Sequence, residues 1–188
     1  SKFGGRSHYN GNQDSGTGLQ LSALTTPTLL AYNGDFTVEC WTYLTGDTEY
    51  SFNSIISRTL TGDRPSPVSS SLEIGIYNIS GMFRPWCNVY NTSTGGFAPG
   101  GNLPISINTW NHIALCRNNN VLRLWVNGAL SVTSGTITGT VSIPSATVQI
   151  GMTQNRHSFR GYIDDVRVIH GLGLYTAPFA PTAPFPNS

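Results

Sequence analysis

The chain has 188 residues, 10 Lys+Arg against 9 Asp+Glu, and a formal net charge of +1. That is enough for one domain with a sizeable core, but it creates no field that would gather nucleic acid or an anionic membrane surface. Charged residues make up 10% of the chain against about 25% in an ordinary soluble domain, so Ser, Thr, Asn and Gly must clothe the surface; 11% aromatic and 38% hydrophobic content exclude disorder.

The start, SKFGGRSHYN, has no apolar h-region, and the longest apolar runs fall short of a membrane span, so neither targeting nor membrane insertion is expected of this sequence. Strand-like runs then follow one another between turn signals, with no stretch at the helical period. They are Phe36 to Leu44, Ser54 to Arg58, Leu72 to Asn78, Met82 to Tyr90, Trp110 to Arg117, Val121 to Val126, Thr147 to Met152 and Tyr162 to Ile169. Asn118-Asn119-Asn120 offers residues tolerant of positive φ for one hairpin, and Asn127-Gly128 is a type I′ signal for another. Thr59 to Ser71 and Asn91 to Pro104, dense in Gly, Pro and Ser, are expected to be long surface loops. The end, residues 171–188, has four prolines in its last eleven residues and is expected to run as an extended tail pinned to the body by Tyr175, Phe179 and Phe185. One domain over 1–188 is the expected organisation.

Catalytic motifs are missing. There is no G-x-S-x-G elbow, no P-loop and no complete G-x-G-x-x-G, and His8, His112, His157 and His170 are too scattered for a local metal cluster. Glycoside hydrolysis needs two carboxylates across a cleft. Asp164 and Asp165 are adjacent in a strand and should point to opposite faces. Glu39 and Glu73 stand singly in separate strands, where a structural partner is the default. Cys40, Cys87 and Cys116 share strand parity with apolar neighbours, so core thiols, with at most one pair bridged, are expected.

Alternation puts Leu122, Leu124 and Val126 on one face of their strand and Arg123 and Trp125 on the other. In MFRPWCNVY it separates Arg84, Trp86, Asn88 and Tyr90 from Phe83, Cys87 and Val89, and Glu73 and Tyr77 alternate against Leu72, Ile74 and Ile76. Aromatic rings stack on the C–H faces of sugars while amides and charges fix the hydroxyls. The candidate ligand-binding residues are therefore Arg84, Trp86, Asn88, Tyr90, Glu73, Tyr77, Arg123 and Trp125; the competing role for such aromatics is to cover cross-strand neighbours.

The blocks FTVECWTYL (36–44), NTWNHIALCRNNNVLRLWVNG (108–128) and RGYIDDVRVIHGLGLYTAPFAPTAPFP (160–186), with KFGGRSHYNG near the start, resemble the laminin-G-like, concanavalin A-like jelly-roll domains of secreted adhesive proteins and bacteriophage virion proteins. The last block is particularly similar to the phage-borne versions. The resemblance implies an all-β sandwich of two antiparallel sheets with the first and last strands adjacent. It also implies a non-enzymatic domain of a virion protein on a tail, fibre or capsid surface, recognising a host-surface glycan or receptor and touching other virion proteins. A purely structural decoration or cement role in the virion is the alternative, and a secreted bacterial adhesin module a further one. Glucan hydrolases sharing the fold carry E-x-D-x-E on their catalytic strand, which this chain lacks. Their equivalent of Asp164 meets carbonyls of the N-terminal strand around a structural Ca²⁺, so a calcium site at Asp164 beside YNGNQD is implied, weakened by Asn10 where relatives have aspartate; backbone capping or an arginine partner is the other role open to Asp164.

Overall fold

The computed structural model describes residues 8–10, 19–20, 34–45, 52–59, 70–91, 95–97, 99–141, 147–152, 158–182 and 184–185. Among them are twelve strands: β1 (His8–Asn10), β2 (Leu19–Gln20), β3 (Phe36–Leu44), β4 (Phe52–Thr59), β5 (Ser70–Ile79), β6 (Met82–Asn91), β7 (Gly95–Phe97), β8 (Trp110–Asn118), β9 (Val121–Val126), β10 (Ala129–Thr136), β11 (Thr147–Ile150) and β12 (Gly161–His170). They form two six-stranded sheets, ordered β1-β12-β3-β8-β9-β10 and β2-β11-β4-β5-β6-β7, with antiparallel pairing throughout. The fold is the all-β, two-sheet jelly-roll sandwich. The first strand does lie against the last, with His8 opposite Ile163. No helix of the described residues is long and apolar enough to cross a membrane.

The alternation of the sequence explains how the sheets face each other. Phe36, Val38, Cys40, Ile113, Leu115, Leu122, Leu124 and Val126 of the first sheet meet Ile56, Leu72, Ile74, Ile76, Phe83, Cys87 and Val89 of the second in one apolar core. A strand covered on one face alternates buried with exposed residues, whereas one covered on both faces does not. β3 and β8 are buried almost end to end, because the chain after residue 171 lies over the far side of the first sheet. There Tyr175 and Phe179 pack on Ala114, Cys116 and Trp125.

Turn chemistry sets the hairpins. Asn119 and Asn120 both have positive φ between Asn118 and Val121, and Asn127 and Gly128 do the same between Val126 and Ala129, the left-handed pair a type I′ turn requires. Gly128 has a second reason to be glycine: a Cβ there would come within 1.7 Å of the Phe179 carbonyl oxygen.

Two expectations need correction. The stretch Asn91 to Pro104 is not simply a surface loop. It contains β7, and beyond it Gly101 and Ile105 donate backbone N–H groups to the carbonyls of Pro85 and Phe83, while Asn102 donates to Ser131 of the other sheet. This rail also explains how Pro85 is tolerated within β6, since its missing N–H faces the rail and not β5. Asp164 and Asp165, in turn, do not follow simple alternation. The β12–β3 register shifts between Asp164 and Arg167 and Asp165 has φ 50°, a bulge that interrupts the two-residue period. The stretch Thr59 to Ser71 lies outside the described residues from 60 to 69.

Candidate functional site

Cross-strand register arranges the outer face of the second sheet in rows. Phe52 of β4 stands opposite Tyr77 of β5, which stands opposite Arg84 of β6. The next row is Ser54, Gly75 and Trp86, and the one after it Gln149, Ser57, Glu73 and Asn88. Exposure falls steeply from the first row to the third. Phe52 is 41% exposed and Tyr77 and Arg84 half-buried, whereas Trp86 is 8%, Asn88 3% and Glu73 0% exposed.

The aromatic rings of this face make one group. Trp86 meets Phe52 edge-on with centroids 5.5 Å apart, and Phe52 lies 6.5 Å from Tyr77. The Tyr77 ring covers Gly100, where a Cβ would come within 2.5 Å of its hydroxyl oxygen. Ser57 Oγ donates to the Met152 carbonyl at 2.9 Å. Trp86 Nε1 and Asn88 Oδ1 are buried and have no hydrogen-bond partner among the described residues. A buried polar atom left so costs about 1–3 kcal/mol unless something supplies the bond.

Of the eight candidate ligand-binding residues, Glu73, Tyr77, Arg84, Trp86, Asn88 and Tyr90 belong to this sheet, with Tyr90 half-buried opposite Gly96 of β7. Arg123 and Trp125 do not join them. They belong to β9 of the other sheet, where Trp125 is 1% exposed and meets Phe179 with centroids 5.6 Å apart. Phe52 is the residue that sequence reasoning missed. Its signal was an aromatic just ahead of the Ser54 to Arg58 run, which the register then sets opposite Tyr77.

The outer face of the first sheet holds a different arrangement, centred on Glu39. Glu39 Oε1 accepts from Arg167 Nε at 2.8 Å, and Oε2 accepts from the Tyr175 hydroxyl and from His112 Nε2, both at 2.9 Å. Burial alone would push this carboxyl upward, but the hydrogen bonds from His112, Arg167 and Tyr175 and the charge of Arg167 outweigh it and hold Glu39 below its ordinary value. Rings close over the cluster. Tyr175 and Phe179 stack with centroids 3.5 Å apart, Phe179 and Phe185 each stand edge-on to His112, and the Arg167 guanidinium lies 4.4 Å above Phe185. Glu39 and His112 are both 0% exposed, so this constellation is a structural clamp holding the chain end to the sheet, with no path for a substrate. Glu39 and Glu73 sit in different sheets and cannot flank one bond.

Asp164, the candidate calcium ligand, accepts the Asp165 N–H on Oδ1 at 2.9 Å. Among the described residues no three His, Cys, Asp or Glu side chains group to hold a metal ion, and residues 11–14 of YNGNQD lie outside the described residues.

A two-sheet antiparallel sandwich with an aromatic-lined outer face defines a lectin-like β-sandwich domain. Residues 14–171 match a laminin-G-type family model described as concanavalin A-like lectin/glucanases superfamily, and the chain belongs to that superfamily. Among solved structures, the carbohydrate-binding module CBM40 of a Ruminococcus gnavus sialidase, bound to α2,3-sialyllactose, is similar at 20% identity and a TM-score of 0.66, covering 91% of this chain and 92% of that one. A heptameric SAP-like pentraxin from Limulus polyphemus is similar at 18% identity and 0.61, covering 86% and 74%. Domain 4 of an extracellular arabinanase from Geobacillus stearothermophilus, in complex with arabinotriose, is similar at 17% and 0.51, covering 88% and 75%. At these identities the likeness is one of fold. No curated protein matches the chain.

Proposed function

We propose that this domain binds a glycan without transforming it, using the outer face of the second sheet. The observation that carries this reading is the row Phe52, Tyr77 and Arg84 at the solvent edge, two rings beside a guanidinium and a phenol hydroxyl. Rings to stack on a sugar, and polar groups to meet its hydroxyls, are the two requirements of such a site. Similarity of fold to modules solved with sialyllactose and arabinotriose supports it. Hydrolysis would need a carboxylate pair across this face, and among the described residues of this sheet Glu73 is the one carboxylate, fully buried.

The setting included in the proposal is the surface of a phage particle, supported by the resemblance of the 160–186 block to virion domains. Two measurements test the reading. The chain should be found in purified virions, and the isolated chain should bind on a glycan array. The double variant Phe52→Ala, Tyr77→Ala, shown to be folded by circular dichroism, should lose that binding. Undiminished binding by the folded double variant would remove this face, and a virion location without binding to any glycan would favour the decoration role.

A further inference from the structure

We infer that the saccharide taken by this face carries an anionic group, carboxylate or sulfate, and that Arg84 is its counter-ion; the inference rests on the reading of the face as a glycan site. Arg84 ends the solvent-edge row, opposite Tyr77. The one hydrogen bond described for its guanidinium is a weak approach of Nη2 to Met82 Sδ at 4.0 Å. The other described arginines on the two sheets are differently placed. Arg167 is bonded to Glu39, Arg117 gives its Nη atoms to the carbonyls of Gly139 and Ile137 and to Asn120, Arg58 is 2% exposed, and Arg123 lies on the other sheet, half-buried, with its Nη1 out of contact with solvent. Arg84 therefore offers a guanidinium to solvent with no carboxylate bonded to it among the described residues.

The surroundings sharpen what that cation can do. Glu73, the sheet's described carboxylate, is buried two rows away, beyond the Gly75–Trp86 pair. Close to Arg84 are apolar groups instead: Met82 and Ile79, paired across the hairpin and 51% and 53% exposed, share its face by strand parity, as do Phe52 and Tyr77. Apolar neighbours lower the local dielectric and strengthen an ion pair formed among them. The planar fork of arginine matches the two oxygens of a carboxylate or sulfate. A net charge of +1 gives no long-range pull on polyanions, so preference for an acidic sugar has to arise locally.

The test compares the whole chain on three immobilised polysaccharides at about 0.15 M salt: polygalacturonate for carboxylate, dextran sulfate for sulfate, and neutral dextran. Wild type is expected to prefer one of the two acidic polymers over dextran by at least about tenfold, and which one identifies the anion. Arg84→Gln should bring acidic binding down to the dextran level, and Arg84→Lys, which keeps the charge but not the fork, should fall between. Phe52→Ala should also weaken acidic binding although it changes no charge, which adsorption by charge alone would not do. If dextran binds as well as the acidic polymers, or folded Arg84→Gln keeps the preference, the anionic inference fails while the glycan reading stands. If no polysaccharide here or on the array binds wild type, both fail.

Discussion

The indole of Trp86 lies across Gly75, its cross-strand partner, so closely that a Cβ at position 75 would come within 2.6 Å of Nε1 and equally close to the Asn53 carbonyl oxygen. The absence of a side chain at one position thus seats the largest ring of the candidate site. Replacing Gly75 with alanine is expected to cost about 1–3 kcal/mol, the range for overpacking, and to displace the indole. Denaturant midpoints measure the first and near-UV circular dichroism the second; a variant matching wild type in both would show that the ring is not seated by this contact.

Glu39 gives the fold an acid limit. A carboxyl held below its ordinary value of 4.5 stabilises the folded state above that pH, and the contribution is lost as pH falls through the folded value. Glu39→Gln should therefore flatten the decline of stability below about pH 4.5. At neutral pH it should cost about 3–5 kcal/mol, because Arg167 is left without its carboxylate. Urea titrations from neutral to acid pH check both, and parallel curves for variant and wild type would assign the acid limit elsewhere.

Tyr175→Phe isolates one bond of the same cluster. The ring stacked on Phe179 is retained, and only the hydroxyl donating to Glu39 Oε2 at 2.9 Å is removed. A loss of about 1.5–3 kcal/mol is expected, the range for a hydrogen bond to a charged group. No change in the thermal or urea midpoint would mean that the rings alone hold the chain end.

The three thiols should be unreactive in the native state. Cys40, Cys87 and Cys116 are free and buried, and burial pushes Cys87 up to about 12 and Cys116 to about 11, with Cys40 higher still. Thiolate is the reactive form. A thiol reagent at about pH 8 should label none of them in the folded chain and all three in denaturant; rapid labelling of two or more native positions would contradict this burial.

How far the sequence could be read depended on how local each feature is. β3 and β9 were legible to the residue, β3 as a run rich in β-branched and aromatic residues and β9 because nearest-neighbour alternation and the Asn turns at 118–120 and 127–128 bound it. β10, with its ALSVTSGT sequence, and β7, GGF, carry almost no apolar period; long-range pairing makes them strands. In β6 the alternation separated Arg84, Trp86, Asn88 and Tyr90 from Phe83, Cys87 and Val89 correctly, since Phe83, Cys87 and Val89 are in the core. Parity, however, says nothing of which sheet a strand joins or what crosses above it. Arg123 and Trp125 were grouped with residues of the opposite sheet for the first reason, and the packing of Phe179 on Trp125 was illegible for the second. The Glu39 clamp needed the register that puts Arg167 beside Glu39 and His112 one position diagonal to it.

The order of strands also has a consequence for synthesis. In the first sheet β12 stands between β1 and β3, and Glu39 waits for Arg167 and Tyr175, which follow it by 128 and 136 residues. As the chain leaves the ribosome from its N-terminus, the β5–β6 and β8–β9–β10 hairpins can close as soon as they emerge, but β1 has no partner and Glu39 no counter-charge until residues beyond 160 are out. Contacts of such long range form late, because loop-closure entropy must be met first. A polypeptide stalled before β12 would therefore hold the β5–β6 and β8–β9–β10 hairpins while β1 lacked its neighbour, the far edge of β3 stayed unpaired and Glu39 stood without Arg167 and Tyr175.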